Sequence, residues 1–493
     1  MTTSIWRYSH IILASTAAVF IVIASVTGSI LAFEPISEKL NPYKIDGIET
    51  VYLTETIEVL KQNYDQVLQL KTDYNAFVFI NAISKKGDFI SGYINPITGE
   101  YLGPEIEKNN FYNYITNLHR SLFLKGVGRF FVGLSSFLLF LIAITGICLI
   151  IKRQGSVKRF FSKIVYENFS QYYHVVAGRI SLIPIIIVTL SGVYLSLLRF
   201  DFFDLEKRES QQIITENIEK DVVIDSKYFP IFKKTRLVDI NSLSFPFSDA
   251  IDDTYTLNLK NKKVLINQYS GKVVGTKELG FNSIIKSLNV NIHTGKGSII
   301  WSIILFVSCI NILFFVYSGF AMTLKRKKNK LRNSFKSDKS KYVVLVGSEN
   351  GNTIAYANAF YHQLKDKGEQ VYITELNKYK FFKKCEHLVI FTSTYGQGEA
   401  PSNGTTFLEL LKSIKQNSNM RYSVVGFGSK AYPDFCKFAV DITKTLKNTN
   451  STPFIKSFYI DNRSFILFSK WFRLWSDKTG IDIKITEYDV LSS

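Results

Sequence analysis

Histidine and cysteine are both scarce in this chain, which has six of the first and four of the second among 493 residues. Cys148 and Cys309 fall inside long apolar runs, while Cys385 and Cys436 fall near the C-terminal end. The lack of cysteine elsewhere, and of any C-x-x-C pair, excludes an external disulfide framework, a dithiol site and a zinc finger. No arginine-rich arm accompanies the net charge of +19, so we expect membrane lipid and not nucleic acid as its partner.

Charge is nearly absent from four long apolar runs, at residues 11–33, 130–151, 175–198 and 298–320. Each can cross a hydrocarbon core of about 30 Å, which takes about 20 helical residues. The connector 152–173 holds five lysines and arginines against one acid, so the positive-inside rule places it and both termini in the cytoplasm. We interpret the first run as a retained anchor, because a cleaved signal peptide has an apolar core of only about 7–15 residues. The sequence thus predicts a multi-pass protein of the bacterial inner (cell) membrane.

Four of the six histidines stand where these runs enter the membrane: His10, His119, His174 and His293. If the chain crosses four times, the first and third lie at the cytoplasmic face and the other two at the periplasmic face. Two imidazoles hold a haem iron with no open position, an arrangement that suits electron transfer. We therefore predict two haem b groups, one between His10 and His174 and one between His119 and His293. The alternative is that each is an ordinary interfacial residue.

An internal repeat relates the two halves of residues 1–328. Each histidine is followed at a repeating distance by a Thr-Gly or Ser-Gly pair. The distance is 18 residues from His10 to Gly28 and from His174 to Gly192, 27 from His119 to Gly146, and 26 from His293 to Gly319. These pairs serve either helix packing or close approach of a porphyrin. Residues 93–103 (YINPITGEYLG) and 265–275 (LINQYSGKVVG) also match each other, and both are typical of a β-hairpin.

The chain here resembles the PepSY-associated transmembrane proteins, often called iron-regulated or iron-uptake membrane proteins. The resemblance covers residues 1–328 and rests on the histidine-bearing helices ending in Thr-Gly, on His119-Arg120 with Gly128-Arg129, and on the two hairpins. It implies a four-helix transmembrane bundle with two periplasmic α+β PepSY-like modules, haem binding, and reduction of ferric chelates. Four arginines then either pair with haem propionates or anchor the interface: Arg7, Arg120, Arg129 and Arg179.

The predicted boundaries follow from the runs and the repeat. The transmembrane helices are 1–33, 119–151, 175–198 and 293–324, the modules are 34–118 and 199–292, the cytoplasmic connector is 152–174, the basic linker is 325–340 and the cytoplasmic domain is 341–493.

The cytoplasmic domain has a soluble α/β pattern in which three apolar runs, 342–347, 388–392 and 422–427, each lead into a polar loop. A strand, a glycine loop and a helix N-terminus together form a phosphate cradle. The candidate residues are Ser348, Glu349, Asn350, Gly351, Asn352 and Thr353 in the first loop, Ser393, Thr394, Tyr395, Gly396 and Gly398 in the second, and Gly428, Ser429, Tyr432 and Phe435 in the third.

Loops at the carboxyl ends of parallel strands are where open α/β sheets bind ligands. These three resemble the flavodoxin-like FMN domain of diflavin reductases, over residues 341 to about 480. The resemblance implies a doubly wound parallel sheet that binds FMN, with Tyr395 and Tyr432 flanking the isoalloxazine ring. Asn350 replaces the family's threonine, and the sequence does not reveal the further Gly- and Asp-bearing segment that lines the flavin. No G-x-G-x-x-G follows a strand in the remaining residues, so we expect a separate NAD(P)H-dependent reductase or reduced carrier as donor.

Together these features predict a transmembrane flavohaem reductase of the ferric-chelate reductase type. Electrons enter at FMN, pass through the two haems and leave to a periplasmic acceptor, for which the resemblance favours a ferric siderophore or other ferric chelate. One alternative is electron exchange with quinone or a periplasmic redox protein. Another is a non-enzymatic PepSY sensor or binding scaffold.

Overall fold

The computed structural model describes residues 3–107, 109–164, 166, 168–200, 223–328, 331–349, 351–396, 398–417, 419–449 and 451–492. The chain divides into two compact units. Unit 1 consists of Met1–Thr16, Leu141–Ile180 and Phe314–Ser493, and unit 2 of Ala17–Phe140 and Ser181–Leu313. Each unit therefore contains one of the two predicted histidine pairs.

Four helices carry the apolar runs: α1 (Thr3–Leu31), α5 (Lys125–Gln154), α7 (Leu182–Arg199) and α10 (Ile299–Lys328). Among the described residues, four segments are long and apolar enough to cross a membrane, namely Ile5–Lys39, Lys125–Gln154, Leu182–Arg199 and Ile299–Leu324. The four predicted membrane spans are thus confirmed by length and composition.

Three of the predicted helix boundaries are wrong, because the histidines lie on separate helices that precede the spans. These helices are α4 (Asn110–Ser121), α6 (Phe169–Ile180) and α9 (Phe281–Thr294). The predicted helix 119–151 breaks at Leu122, which takes a left-handed φ of 49° and ends α4. The predicted helix 293–324 breaks at Gly295, with φ 81°. The predicted helix 175–198 breaks after Ile180, since Pro184 has no N–H to donate to that carbonyl.

Unit 2 contains an antiparallel sheet whose eight strands follow the repeat. The first copy holds α2 (Glu34–Lys39), α3 (Leu53–Asn63), β1 (Tyr64–Thr72), β2 (Val78–Ser84), β3 (Phe89–Ile94) and β4 (Tyr101–Pro104). The second holds α8 (Pro230–Lys234), β5 (Ile240–Ser244), β6 (Thr254–Leu259), β7 (Lys262–Asn267) and β8 (Val273–Glu278). The order is β4-β3-β2-β1-β5-β6-β7-β8, so the copies join edge to edge, with Leu70 opposite Leu243. One shared core results, which buries Leu60 and Phe232 completely.

Both predicted hairpins are confirmed, as β3–β4 and β7–β8. Asn95 and Asn267 hold the two turns in the same way, because each side-chain oxygen accepts two backbone N–H groups inside its turn. Gly99 and Gly271 complete the turns with φ of 72° and 67°, a conformation that glycine adopts without steric cost. The repeat in sequence is therefore also a repeat in local structure.

The C-terminal part of unit 1 is a parallel sheet covered by helices. Its strands are β9 (Tyr342–Gly347), β10 (Val371–Glu375), β11 (His387–Ser393), β12 (Arg421–Gly428), β13 (Thr452–Pro453) and β14 (Phe458–Asp461). Its helices are α11 (Asn352–Asp366), α12 (Phe407–Ser413), α13 (Lys437–Lys447), α14 (Phe465–Thr479) and α15 (Glu487–Ser492). The order β10-β9-β11-β12-β13, with β14 also on β12, is that of a doubly wound sheet. The three predicted strands are confirmed, and their buried runs reflect a sheet covered on both faces.

Candidate functional site

The first histidine pair lies in unit 1, where the ring centroids of His10 and His174 are 6.4 Å apart. Nδ1 of His10 lies 2.8 Å from Oγ1 of Thr145, and Nδ1 of His174 lies 2.8 Å from Oγ of Ser318. Both hydroxyls belong to the Thr-Gly and Ser-Gly pairs that the repeat revealed. Each imidazole is therefore fixed at Nδ1 by a hydroxyl from another helix.

The second pair, in unit 2, has the same construction. The ring centroids of His119 and His293 are 6.3 Å apart. Nδ1 of His119 lies 2.8 Å from Oγ1 of Thr27, and Nδ1 of His293 lies 2.9 Å from Oγ of Ser191. The two units thus hold two copies of one arrangement.

The hydroxyls determine which ring nitrogen carries the proton. Each hydroxyl donates its single hydrogen to a carbonyl of its own helix, as Thr27 does to Ile23 at 2.7 Å and Ser318 to Phe314 at 2.7 Å. The oxygen then accepts the Nδ1–H of the histidine, because a hydroxyl has one donor and two acceptor positions. Nε2 keeps its lone pair, which is the form in which imidazole binds a metal. A hydrogen bond at the other nitrogen is the usual support of a metal-ligating histidine.

The glycines of the same dipeptides make room for the imidazole edges. A Cβ on Gly28 would lie 3.4 Å from Cε1 of His119, and one on Gly192 would lie 3.2 Å from Cε1 of His293. A Cβ on Gly146 would lie 3.6 Å from Cε1 of His10. Sequence reasoning left these pairs between helix packing and porphyrin approach. The structure gives the hydroxyl of all four pairs a third role, that of holding Nδ1, and it gives Gly28, Gly146 and Gly192 the role of admitting the ring. A Cβ on Gly319 would meet no described atom within 4 Å.

The ring separations fit a metal between two imidazoles. A metal–nitrogen distance of about 2.0–2.1 Å on each side, with the nitrogen about 1.1 Å from its ring centre, places the centroids about 6.3 Å apart. Among the described residues no group of three or more histidine, cysteine or acidic side chains is placed to hold a metal ion. The two pairs are the residues that would hold a haem, which would itself supply four further nitrogens.

The four arginines that the sequence singled out lie in different surroundings. Arg7 forms an ion pair with Glu349, and Nη1 of Arg179 donates to the carbonyl of Ser162 at 2.7 Å. Nε of Arg129 is buried without a hydrogen-bond partner among the described residues, while Arg120 is exposed. Buried donors without a hydrogen-bond partner among the described residues are also found on Arg7 (Nε) and Arg179 (Nε and Nη2), so three of the four arginines keep a donor that an anion could use.

The candidate FMN loops meet at one edge of the parallel sheet, because they follow the carboxyl ends of β9, β11 and β12. Residues 348–353 lead from β9 into α11, residues 393–398 follow β11, and residues 428–435 follow β12. The structure therefore brings the predicted residues of all three loops together, with the exception of Asn350, which lies outside the described residues.

The first loop has the features of a phosphate site. Gly351 precedes α11 in a left-handed conformation, φ 80°, so that the loop turns at the helix N-terminus, where backbone N–H groups face an anion. Ser348 and Thr353 are buried beside it, at 7% and 3% exposure. Oγ of Ser348 has no hydrogen-bond partner among the described residues. An unpaired buried hydroxyl at a helix N-terminus suits a bound phosphate, and the residues present fit FMN.

The second and third loops supply the aromatic side chains. Tyr395 is half-buried and exchanges two backbone hydrogen bonds with Glu399, of 3.0 and 2.7 Å, across a turn that contains Gly396 and Gly398. Tyr432 is also half-buried, and its hydroxyl accepts a hydrogen bond from Nε of Arg153 at 3.2 Å. Both rings thus lie in loops of the same sheet edge.

Comparison with known proteins shows the family to which the chain belongs. Residues 7–326, well over half of its length, match the family described as PepSY-associated TM region. The chain belongs to the PepSY-associated TM family. Residues 344–463 match the family described as Flavodoxin. Membership and the apolar helices together indicate a multi-pass membrane protein.

The flavodoxin part of this PepSY-associated protein is also similar to parts of larger flavoproteins. The sulfite reductase [NADPH] flavoprotein alpha-component of Vibrio vulnificus is 32% identical over 120 residues, which cover 24% of this chain and 20% of that protein. The inducible nitric oxide synthase of Mus musculus is 42% identical over 66 residues, 13% of this chain and 6% of its own. The solved flavodoxin of Streptococcus pneumonia TIGR4 is 23% identical with a TM-score of 0.26, covering 28% of this chain and 97% of its own.

The chain therefore spans about a fifth of the length of its first curated relative, in the flavodoxin part alone. The similarity to diflavin reductases supports an oxidoreductase and electron transfer, and the flavodoxin fold supports FMN as cofactor.

One segment that the sequence did not reveal, the residues that follow β14, lies at the sheet edge of the three candidate FMN loops, called the flavin edge below. β14 runs parallel to β12, with Asp461 opposite Gly428, so the residues after Asp461 reach the edge where the other loops lie. Oδ1 of Asp461 accepts the backbone N–H of Lys430 at 2.9 Å, and Asn462 and Arg463 follow with φ of 47° and 57°. The segment contains no glycine, and the only signal in the sequence was the short apolar run before Asp461.

Cys436 belongs to the third loop but is not a redox thiol. It is completely buried, and burial raises the pKa of its thiol to about 12. A thiol with such a pKa stays protonated and unreactive near neutral pH.

Proposed function

We propose that the protein is a transmembrane oxidoreductase in which the flavodoxin domain receives electrons in the cytoplasm and the two histidine pairs conduct them across the inner membrane to a periplasmic acceptor. The observation that carries the proposal is the construction of the pairs, in which a hydroxyl holds Nδ1 of every imidazole and the ring centroids of the partners lie 6.4 and 6.3 Å apart. When bound, FMN exchanges two electrons with a donor and single electrons with haem, and haem b takes and gives single electrons.

The proposed arrangement in the membrane keeps both termini in the cytoplasm. The four spans form a bundle, and the two copies of the α+β module, merged in the eight-stranded sheet, face the periplasm. The basic connector between α5 and α6 supports this orientation through the positive-inside rule. His10 and His174 then lie on the same side as the flavodoxin domain, with which they share unit 1.

The chain's own residues position the cofactors. Nδ1–H of each histidine is held by a Thr or Ser hydroxyl, which fixes the tautomer and the ring direction. A haem held by two histidines would exchange electrons without binding substrate at the metal. The external acceptor would then receive its electron from the His119/His293 side.

We infer a ferric siderophore or other ferric chelate as the acceptor, which gains one electron and becomes ferrous, and a separate NAD(P)H-dependent reductase or reduced carrier as the electron donor. The acceptor rests on the family resemblance. Reoxidation of reduced protein by a quinone but not by ferric chelates would replace it with the quinone alternative.

The experiment that tests the proposal is a pyridine haemochrome assay combined with flavin release on the purified full-length protein. We expect two b haems and one FMN per chain. Replacement of His10, His119, His174 and His293 by alanine should remove both haems, whereas His362→Ala, at an exposed histidine of the flavodoxin domain, should retain them. Full haem retention without the four histidines would refute the assignment, and absence of haem from the wild type would favour the scaffold alternative.

A narrower variant tests the direction of the path. Replacing only His119 and His293 should leave a haem that the flavodoxin domain still reduces, while transfer to an external ferric chelate is lost.

A further inference from the structure

An ion pair inside unit 1 links a membrane helix to the first flavin loop. Arg7 of α1 pairs with Glu349, and the two side chains are only 9% and 5% exposed. Arg7 precedes His10 by three residues, so the two side chains lie on the same face of α1, one turn apart. Glu349 lies between Ser348 and the helix N-terminus at Gly351, in the loop that fits a phosphate. One contact therefore connects the first histidine pair to the phosphate loop.

A second contact lies at the third loop. Arg153, at the end of α5, donates from Nε to the hydroxyl of Tyr432 at 3.2 Å. Tyr432 is one of the two aromatic residues expected to flank the flavin ring. Helix ends from two different spans thus reach two different loops of the same sheet edge.

Arg7 and Arg153, which reach the loop edge, are both cations. The edge itself carries both signs of charge, with Glu399, Asp434 and Asp461 beside Lys430, Lys437 and Arg463. The specificity of docking therefore rests on the buried Arg7–Glu349 pair, and such a pair loses most when only one partner is removed.

We propose that Arg7 is a positioning residue that docks the flavin-binding edge of the flavodoxin domain on the His10/His174 end of the helices, with Arg153 and Tyr432 as a second anchor. The role of this docking in electron delivery rests on the proposed function, but the docking itself does not. Arg7 also neutralises a buried carboxylate in the phosphate loop, so docking removes a negative charge that repels the phosphate of FMN.

Disulfide trapping tests the docking without any cofactor. The variant Arg7→Cys/Glu349→Cys receives a specific protease site in the 325–340 linker, and the cleaved full-length protein is run on a non-reducing gel. Cys148 and Cys309 lie in membrane helices and Cys385 and Cys436 are buried, so they compete little. We expect the two fragments to stay joined until reductant is added. Separate fragments in the absence of reductant would overturn the proposal.

A charge-exchange experiment distinguishes a specific Arg7–Glu349 ion pair from a merely structural role of Arg7. After linker cleavage in membranes, Arg7→Glu should release the flavodoxin fragment into the supernatant at least 10-fold more than wild type. The double exchange Arg7→Glu/Glu349→Arg should restore retention. Lys158→Glu, an exposed residue of the connector with the same change of charge, should behave as wild type. Equal release from Arg7→Glu and Lys158→Glu, or no recovery in the double exchange, contradicts a specific Arg7–Glu349 contact.

Two further measurements separate this proposal from the proposed function. FMN titration of the cleaved and uncleaved protein should show weaker binding for Arg7→Ala and recovery for Arg7→Ala/Glu349→Gln, whether or not haem is present. At saturating FMN and equal haem content, photoreduction of the flavin should then show a haem reduction rate at least 10-fold lower in Arg7→Glu. Intact docking in a protein that contains no haem would refute the proposed function and leave this inference standing.

Discussion

Thr27→Val is the substitution that tests most directly how the histidine pairs are built. Thr27 is buried at 2% exposure, and its hydroxyl accepts Nδ1–H of His119 at 2.8 Å. Valine has nearly the same shape, so packing is kept and only the acceptor is removed. The imidazole N–H then loses one of its two acceptors, so the cost lies at or below the value of about 1–3 kcal/mol for a buried donor that is left fully unpaired.

The expected loss of haem affinity in Thr27→Val depends on which hydrogen-bond acceptors remain around the His119 ring. Loss of an outer partner of a metal-ligating histidine lowers metal affinity by about 10–100-fold. The backbone carbonyl of Ala24 also accepts a hydrogen bond from His119 and remains in the variant. We therefore expect the lower end, about 10-fold or about 1.4 kcal/mol, for the haem of the His119/His293 pair. The His10/His174 pair, held by Thr145 and Ser318, should keep its haem.

The assay is transfer of haem from detergent-solubilised protein to excess apomyoglobin, followed in the Soret band. Wild type should release both haems slowly, and Thr27→Val should show one phase that is about 10-fold faster, with half of the total amplitude. Thr16→Val is the matched control, because Thr16 lies on the same helix and its exposed hydroxyl, within the described part of the chain, bonds to the carbonyl of Ile12, at 2.9 Å. Identical release kinetics in Thr27→Val and wild type would refute the orienting role of the hydroxyl.

Three further predictions follow from the same structure. Gly192→Ala should disturb haem binding more than Gly28→Ala, because the nearest atom to the new Cβ lies 2.6 Å away in the first variant and 3.2 Å away in the second. Gly319→Ala, whose Cβ would meet no described atom within 4 Å, should be neutral in the same haem-release assay. Gly351→Ala should weaken FMN binding, measured by fluorescence titration, because a left-handed φ of 80° costs about 1–2 kcal/mol for a residue with a Cβ. Burial lowers the pKa of His387 from 6.5 to about 4, so the folded state favours the neutral imidazole. The folding stability that depends on the neutral imidazole is complete above pH 6.5 and is lost, by up to about 3 kcal/mol, as the pH falls towards 4. Hydrogen exchange of β11 should therefore accelerate over that window, and His387→Phe should abolish the effect.

The pairing of the histidines was accessible from sequence because it rests on a count and a spacing. Four apolar runs fix which residues share a membrane face, and the repeat fixes which histidine corresponds to which. The Thr-Gly and Ser-Gly pairs were visible for the same reason, but their role was not. To recognise that Thr145 holds His10, one must know how the two helices are rotated about their axes. A sequence spacing of many residues does not determine those rotations.

The helix breaks were less accessible, since only some of them have a local signal. Gly295 and Pro184 are residues that commonly mark helix ends. Leu122 is not, because a left-handed conformation is unfavourable for leucine and is imposed by the surrounding packing. The same holds for Asn462 and Arg463, whose positive φ completes the flavin edge without any glycine. Contacts that join distant segments, such as Arg7 with Glu349 or β1 with β5, leave no trace in the local pattern.

The duplication and the pairs together explain why both copies are needed. Each hydroxyl belongs to the same copy of the repeat as the histidine that it holds: Thr145 with His10, Thr27 with His119, Ser318 with His174 and Ser191 with His293. Each copy is therefore able to orient its own two imidazoles. Every pair, however, takes one histidine from each copy. A single copy therefore holds two imidazoles but completes neither pair.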